Sequence, residues 1–335
     1  MGPAEEFEPL RAAGHEALLG RHLDEPDRTA YTGAELVALC READVVMASH
    51  LETISAVVME QAARLKLVIV PFIGTDRIDE AAATCRGVLV ANSPTQENFI
   101  AVAEAAIALM LLLLKRIKHN EQKLRRGEWA TRRDRGEFLF GKTVGIVGLG
   151  RIGGHVARRL AGWDVRLLAT DPYADAAHAR RLGVTLVELD TLLADADVVT
   201  LHAVLTDETR GLVGEKQLRR MKPTALLINT ARGELVDEDA LARALDEGWI
   251  AGAALDTFAR EPLPAASPLR RVEPERLVLT PHNVSHSEAG RRANLTLAIE
   301  QILAVGRGEI PAHVVNREAI ARRRAVVVTP STPSG

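Results

Sequence analysis

The stretch Lys142–Tyr173 reads KTVGIVGLGRIGGHVARRLAGWDVRLLATDPY. A β-branched apolar run ends at Gly148, and the sequence GLGRIG at residues 148–153 opens a segment with helical apolar spacing. A second apolar run ends at Asp171, 18 residues beyond Gly153. This order of strand, glycine turn, helix, strand and terminal acid is the βαβ fingerprint of a dinucleotide-binding unit.

Each residue of the glycine turn has a physical reason for its position. Gly148 permits the tight turn, Gly150 lets the backbone approach a pyrophosphate, and Gly153 lets the helix pack closely on the strand. Arg151 and Ile152 begin the helix, whose free N–H groups face the anion. These five residues are therefore predicted to bind the cofactor.

Asp171 selects between the two nicotinamide dinucleotides. At the carboxyl end of the second strand, its carboxylate can accept both hydroxyls of an adenosine ribose. A 2′-phosphate would meet a like charge there, and Pro172 and Tyr173 supply no compensating cation. The sequence therefore predicts NAD as the cofactor in preference to NADP.

Composition narrows the class of partner. The chain has 335 residues, which suits two domains, and a net charge of −3, which gives no electrostatic footprint for nucleic acid. A small-molecule partner is expected. Only Cys40 and Cys85 are present, without CxxC spacing, so no metal site is predicted and a cytoplasmic location fits. The acidic N-terminus lacks the features of a signal peptide, and the apolar run Ile107–Leu114 is short for a membrane span.

The rest of the chain alternates between strand and helix patterns, which predicts parallel sheets with helices on their faces. The first domain opens with a helix at Phe7–Ala13 and a short strand at Glu16–Leu19. A single long helix is expected over Gln96–Leu124, because no Gly or Pro interrupts it. A last helix, Glu288–Val305, returns the chain to the first domain. The predicted domains are residues 1–96 with 288–335 for substrate binding and residues 97–287 for NAD, with the ligand cleft between them.

Two further features have plain interpretations. The basic loop Arg125–Arg135 is expected to be a solvated or subunit-facing connector, and a phosphate-binding role is the alternative. His119 and most of the other histidines lack a supporting pattern, so they are expected at the surface or at helix caps.

Three polar segments follow apolar strands of the second domain, at the ends where α/β folds bind ligands. They are INTARGELVDEDAL around Arg232, ALDTFAREPLP around Glu261 and LTPHNVSHSEAG around His282. Arg232 lies 29 residues before Glu261, which lies 21 residues before His282. In these residues the chain resembles the NAD-dependent D-isomer-specific 2-hydroxyacid dehydrogenases, from about Phe7 to Asn316.

The resemblance implies two α/β domains, a Rossmann doubly wound parallel sheet for NAD and a smaller flavodoxin-like substrate domain. It also implies a catalytic set of three residues. Arg232 would bind the substrate carboxylate as a fork, and His282 would exchange the proton with the substrate oxygen. Glu261 would orient His282 and raise its pKa. The resemblance further implies a homodimer and a cofactor-binding set that adds His202, Thr206, Thr230, Ala231 and Asp256.

The predicted substrate contacts are His50, Phe72, Ile73, Gly74 and Arg232. Two of the segments that carry them depart from the family pattern. Phe72 stands where the family commonly has a glycine, so its ring is expected to shrink or reshape the pocket. The segment Met47–His50 lacks the arginine that phosphoglycerate-type members place nearby. The first strand expected for the substrate domain is also missing before Phe7, through either a late start codon or a sheet that lacks a strand.

The sequence therefore favours an oxidoreductase for small unphosphorylated 2-keto acids such as glyoxylate, hydroxypyruvate or pyruvate. 3-Phosphoglycerate is the alternative substrate. An NAD(H)-sensing interaction protein, similar to the corepressors that share this fold, is the alternative of another class. A formate dehydrogenase is disfavoured, because that branch pairs the histidine with glutamine and this chain has Glu261.

Overall fold

The computed structural model describes residues 4–21 and 30–322. Its strands are β1 (Val45–Met47), β2 (Leu67–Ile69), β3 (Leu89–Ala91), β4 (Thr143–Val147), β5 (Arg166–Thr170), β6 (Val184–Leu186), β7 (Val198–Leu201), β8 (Leu226–Asn229), β9 (Gly252–Leu255) and β10 (Leu277–Leu279). Its α-helices are α1 (Glu8–Ala12), α2 (Gly33–Cys40), α3 (Ala56–Gln61), α4 (Glu80–Arg86), α5 (Gln96–Leu114), α6 (Ile117–Arg125), α7 (Arg151–Leu160), α8 (Ala176–Arg181), α9 (Leu189–Asp195), α10 (Glu215–Arg220), α11 (Glu238–Glu247) and α12 (Glu288–Gly306). The chain divides into two compact units, Met1–Asn98 with Ser287–Gly335 as unit 1 and Phe99–His286 as unit 2.

Unit 2 contains a seven-stranded parallel sheet within the described residues, in the order β6-β5-β4-β7-β8-β9-β10. The strand order reverses between β4 and β7, and doubly wound sheets bind ligands at the carboxyl ends of the strands at this point. The predicted Rossmann fold is confirmed. The glycine turn follows β4, so it lies directly at the reversal.

The strands of this sheet are apolar on both faces because helices cover both. On β8, Leu227 faces one core and Ile228 faces the other, and both are fully buried. Burying a side chain of this size contributes about 1.5–3 kcal/mol. Such continuous apolar strands leave their polar residues to the loops at the strand ends, where the site forms.

Unit 1 contains a parallel sheet of three strands within the described residues, in the order β1-β2-β3. Val68 packs into one core while Leu67 and Ile69 pack into the other, so helices cover both faces here too. The predicted strand at Glu16–Leu19 is wrong, because this segment joins no ladder among the described residues. Leu18 is 78% exposed, so the apolar pattern that suggested a strand does not face a core.

The predicted single helix Gln96–Leu124 is also wrong. It breaks into α5 and α6 at Arg116, which has the left-handed angle φ 50°. The Arg116 side chain donates to the carbonyl oxygen of Arg133 at 2.6 Å and lies 3.2 Å from a carboxylate oxygen of Glu275. The helix therefore ends where Arg116 makes contacts with residues distant in the sequence, and no nearby Gly or Pro indicates this break.

The apolar run Ile107–Leu114 lies within a longer helix, so the expectation that it is short for a membrane span is wrong for α5 as a whole. Helix α5 has 19 residues and an 18-residue window with a mean hydropathy of 2.0, which meets the length and composition of a membrane span. However, 56% of that window is buried inside the structure, and Ala106 and Met110 are fully buried. This burial is the observation that favours a core helix.

A charged cluster holds the basic loop to α6. Asp134 is buried, and its carboxylate lies 2.7 Å from both His119 Nε2 and Lys123 Nζ. The other nitrogen of His119, Nδ1, lies 2.5 Å from Glu275. The hydrogen bond from His119, followed by those from Lys123 and Thr131, holds the pKa of Asp134 far below its usual range. The expectation that His119 is a surface or capping residue is therefore wrong.

Candidate active site

Two close backbone approaches shape the glycine turn. Gly148 has φ +92°, and a Cβ there would lie 2.7 Å from the carbonyl carbon of His202. A Cβ at Gly153 would lie 2.1 Å from the carbonyl oxygen of Gly148. Neither position accepts a side chain, so α7 packs directly against the end of β4.

The first turn of α7 is open to a ligand. Gly150 is its N-cap, and no side chain caps the helix among the described residues. A Cβ built on Gly150 meets no protein atom within 4 Å. The first N–H groups of an α-helix have no acceptor inside the helix, so those near Arg151, Ile152 and Gly153 are available to a phosphate.

Asp171, the residue predicted to bind the ribose, also holds the glycine turn. Its Oδ2 accepts the N–H of Leu149 at 2.8 Å, and its Oδ1 accepts the N–H of Tyr173 at 2.8 Å. Each carboxylate oxygen has two lone pairs, so capacity remains for ribose hydroxyls. Leu149 lies inside the glycine turn, and the sequence did not reveal that Asp171 fixes it.

His202 follows β7, next to Gly148. Burial lowers the pKa of His202 to about 4, so its ring is neutral at pH 7. Its Nε2 lies 2.9 Å from the hydroxyl of Thr200, and its buried Nδ1 has no hydrogen-bond partner among the described residues. Thr206 lies in an exposed turn, where its N–H donates to the hydroxyl of Thr209 at 2.7 Å.

The segment after β8 is held by Asn229, a residue missing from the predicted set. Asn229 is fully buried, its Oδ1 accepts the N–H of Ala231 at 3.0 Å, and its Nδ2 donates to the carbonyl oxygen of Arg232 at 2.8 Å. Arg232 Nη1 donates to the carbonyl oxygen of Ala231 at 2.7 Å. The hydroxyl of Thr230 is buried without a partner among the residues that the structure describes. In the sequence, the feature that could have pointed to Asn229 is its position as a polar residue directly after the apolar run LLI.

Gly233 brings the Arg232 segment onto the loop after β9. A Cβ on Gly233 would lie 1.9 Å from the carbonyl carbon of Phe258, so the two backbones touch. Only glycine allows this approach. The segment that carries Arg232 is therefore packed against the segment that carries Glu261.

A buried carboxylate anchors the turn that carries His282. Asp256 is 3% exposed, and its Oδ1 accepts the hydroxyl of Thr280 at 2.6 Å, the N–H of Asn283 at 3.1 Å and the N–H of Val284 at 3.3 Å. His282 has the left-handed angle φ 52°, a conformation that costs roughly 1–2 kcal/mol outside glycine. The bonds to Asp256 hold the turn in place on both sides of His282.

Glu261 and His282 form a direct pair. His282 Nδ1 lies 2.9 Å from Oε2 and 3.0 Å from Oε1 of Glu261. The N–H of Phe258 donates to Glu261 Oε1 at 3.0 Å, which fixes the carboxylate. With Nδ1 used in this way, Nε2 of the imidazole is the nitrogen left for a substrate. The nearby His286 has a lowered pKa, first because of burial and then because of the charge on His282.

The predicted substrate contacts His50, Phe72, Ile73 and Gly74 lie in unit 1. The N–H of Ser93 donates to the carbonyl oxygen of Phe72 at 2.8 Å, and Asn92 Nδ2 donates to that of Ile73 at 2.7 Å. The Phe72 ring packs partly against the unit 1 core. The loop that contains Phe72 and Ile73 is therefore held by hydrogen bonds from the segment that follows β3. Arg232, Glu261 and His282 all lie in unit 2.

Comparison with known proteins decides the family. Residues 107–284 match the D-isomer specific 2-hydroxyacid dehydrogenase, NAD binding domain. The chain belongs to the D-isomer specific 2-hydroxyacid dehydrogenase family. The predicted resemblance is confirmed, and the protein is an NAD-dependent oxidoreductase that acts on CH–OH groups.

Three relatives illustrate the range of this dehydrogenase family. A glyoxylate reductase of Korarchaeum cryptofilum is 40% identical over 86% of this chain and 87% of its own length. A D-3-phosphoglycerate dehydrogenase of Methanocaldococcus jannaschii is 39% identical over 88% of this chain, which spans 56% of that relative. The solved NAD-dependent formate dehydrogenase of Staphylococcus aureus, in complex with NAD, is 31% identical over 90% of this chain and 87% of its own, with a TM-score of 0.76.

The residues present fit NAD. The open space beside Gly150 and the uncapped first turn of α7 suit a pyrophosphate, and Asp171 suits an unphosphorylated ribose. The carboxylate of Asp256 is at the carboxyl end of β9, where the resemblance places the nicotinamide carboxamide.

Gly150 gives a direct test of this cradle. We expect Gly150→Ala to leave the melting temperature unchanged, because the added carbon meets no protein atom, while NADH affinity falls about tenfold or more as the methyl group takes space needed by the pyrophosphate. Titration of NADH fluorescence measures the affinity. Gly162→Ala is the matched control, since its Cβ also meets open space. Unchanged NADH affinity in Gly150→Ala would contradict the assignment.

Proposed function

We propose that this dehydrogenase interconverts a small, unphosphorylated 2-keto acid and its D-2-hydroxy acid, with glyoxylate, hydroxypyruvate and pyruvate as the first candidates. The observation that carries the proposal is the packing of the Arg232 segment on the Glu261 loop, with Glu261 paired to His282 at 2.9 Å. A fork for a carboxylate and an acid–base pair are what the reduction of a 2-keto acid requires.

Each residue of the set has one role in the proposal. Arg232 binds the substrate carboxylate with two parallel N–H donors, a charge-assisted contact that contributes about 1.5–3 kcal/mol. Bound NADH supplies the hydride. His282 donates a proton from Nε2 to the carbonyl oxygen of the substrate, and Glu261 accepts the N–H of Nδ1 throughout. In the oxidation direction, neutral His282 accepts the proton back.

The substrate preference rests on unit 1. Phe72 places an aromatic ring where the resemblance implies a glycine, which favours a small acid. The segment after β1 contains no arginine, and it carries the buried carboxyl group of Glu52, which is hydrogen-bonded to Ser49. A phosphate would find no arginine or lysine in this segment, where His50 is the side chain that can carry a positive charge. 3-Phosphoglycerate remains the second candidate because of the 39% identity to a D-3-phosphoglycerate dehydrogenase.

The proposal also assigns the domains and the location. Residues 1–96 and 288–335 would bind substrate, and residues 97–287 would bind NAD. Both cysteines are free thiols, and burial raises the pKa of Cys40. A reducing cytoplasm suits such thiols.

A panel of 2-keto acids assayed by NADH oxidation tests the substrate. We expect glyoxylate, hydroxypyruvate or pyruvate to give the highest kcat/KM. In Phe72→Ala, kcat/KM for longer unbranched 2-keto acids should rise about tenfold relative to glyoxylate, since the lost ring leaves space in the pocket. Preference of the native enzyme for 3-phosphohydroxypyruvate over hydroxypyruvate would support the second candidate instead.

The pH dependence tests the acid–base role. Keto-acid reduction requires protonated His282 and should fall as pH rises, whereas oxidation of the hydroxy acid should rise over the same range. His282→Ala should lose on the order of 10²–10⁴-fold in kcat with NADH affinity unchanged. Glu261→Gln should move the midpoint downward, because the carboxylate charge 2.9 Å from Nδ1 is removed. Full turnover in His282→Ala would overturn the mechanism.

The same assays distinguish the proposed enzyme from the alternative of an NAD(H)-sensing interaction protein. Such a protein would bind NADH tightly yet reduce no acid in the panel.

The proposal includes a homodimer, formed through residues 117–140. Five large apolar side chains of this segment are exposed, and Trp129, Phe138 and Phe140 are 82%, 70% and 69% exposed. Ile117 and Leu124 complete this set. Exposed apolar side chains of this size in one segment indicate a protein–protein contact, and a second copy of the chain is the partner that the resemblance implies.

Sedimentation at micromolar concentration tests the assembly. We expect the native protein to sediment as a dimer and the double variant Trp129→Ser, Phe138→Ser to sediment as a monomer with its melting temperature at low concentration preserved. Val57→Ser removes an apolar side chain that is 61% exposed in unit 1 and should leave the dimer intact. A native monomer would refute the homodimer.

A further inference from the structure

Glu238, the first residue of α11, holds the loop that carries Glu261. Its Oε1 accepts the N–H of Ala259 at 2.7 Å, and Ala259 lies two residues before Glu261 in the sequence. Glu238 is not needed to cap its own helix, because Asp237 is the N-cap and accepts the N–H of Ala240 at 3.0 Å. The carboxylate of Glu238 is therefore directed to the loop.

Adjacent N–H groups of this loop are bound by two different carboxylates. Phe258 donates to Glu261 at 3.0 Å, within the loop, and Ala259 donates to Glu238 on α11. The backbone of Gly233 also lies close to this loop, because a Cβ on Gly233 would be 1.9 Å from the carbonyl carbon of Phe258. The loop thus contacts both the segment that follows Arg232 and the start of α11.

Helix α11 is a firm support for this bond. Its residues Leu241 and Leu245 are fully buried in the larger core of unit 2. The hydrogen bond from Ala259 to Glu238 therefore ties the loop to a helix that is packed into this core. Without it, the loop would keep the Gly233 contact, its internal bond from Phe258 to Glu261 and the pair that Glu261 forms with His282.

Several carboxylates lie close to Glu238 on the α11 side of this loop. Burial raises the pKa of Glu238, and the nearby carboxylates of Asp239, Glu234 and Glu261 raise it further, while the bond from Ala259 lowers it. The titratable groups close to His282 include the carboxylate of Glu261, 2.9 Å from Nδ1, and the imidazole of His286, whose pKa is lowered by burial. Asp256 binds the backbone of the turn itself.

We propose that Glu238 is a positioning residue, whose hydrogen bond to the N–H of Ala259 fixes loop 258–261 so that Glu261 faces Nδ1 of His282. This inference rests on the acid–base role proposed above for His282. Glu238 touches neither substrate nor cofactor in it and acts only through Glu261.

Variants in two backgrounds test this chain of contacts. Glu238→Met keeps the side-chain volume without an oxygen acceptor, and Glu238→Gln keeps an acceptor oxygen. We expect Glu238→Met to lower kcat for keto-acid reduction about tenfold and to move the pH midpoint downward, as Glu261→Gln does, with the NADH dissociation constant unchanged. Glu238→Gln should recover most of kcat. Asp239→Ala is the matched control, because it removes a neighbouring charge from the same helix turn and should leave kcat unchanged.

Non-additivity decides whether Glu238 acts through Glu261. In the Glu261→Ala background, which has no oxygen acceptor at this position, Glu238→Met should cause no further fall in kcat and no further shift of the midpoint. Equal losses in both backgrounds, or a lower melting temperature with an unmoved midpoint, would make the role merely structural and overturn the inference. An effect of Asp239→Ala as large as that of Glu238→Met would also overturn it. If His282→Ala keeps full turnover, the proposed function itself fails. That outcome is distinct from a failure of the Glu238 inference alone, in which His282→Ala is inactive but Glu238→Met behaves like the native enzyme.

Discussion

The contact between α7 and the end of β4 is the constraint on which the cofactor half of the site depends. A Cβ at Gly153 would lie 2.1 Å from the carbonyl oxygen of Gly148, so no side chain can separate the helix from the turn. This approach brings the first N–H groups of α7 to the point where the strand order reverses. The same turn touches His202, whose ring is neutral because it is buried.

The proposed catalytic residues of unit 2 are held differently, by polar groups that fix loops. Asn229 fixes the segment of Arg232, Asp256 fixes the turn of His282, and Glu261 binds His282 directly. In each case a polar side chain bonds the backbone or ring of the next loop. Buried polar groups of this kind must be satisfied, and satisfying them determines the loop conformation.

Much of this arrangement was predictable from local pattern. The apolar runs identified the parallel strands, and the spacing of glycines and Asp171 identified the dinucleotide unit, because these features reflect requirements within one βαβ segment. The break at Arg116 was not predictable, since its partners Arg133 and Glu275 are remote in the sequence. Glu238 was missed for the same reason, because its bond to Ala259 depends on the start of α11 meeting the loop after β9. The strand predicted at Glu16–Leu19 is wrong because a strand forms only beside another strand, and the local sequence pattern does not show whether one lies next to it.

The bond between Asp171 and Leu149 limits how the cofactor preference of this enzyme could change. A lineage or an engineer seeking to use the 2′-phosphorylated dinucleotide has to remove the negative charge of Asp171, yet the same carboxylate accepts the N–H of Leu149 inside the glycine turn at 2.8 Å. Substitution by alanine would remove both together. Asparagine or serine keeps an oxygen acceptor while losing the charge. A change of cofactor preference therefore requires a small polar residue at position 171, which removes the charge and keeps an acceptor for the N–H of Leu149.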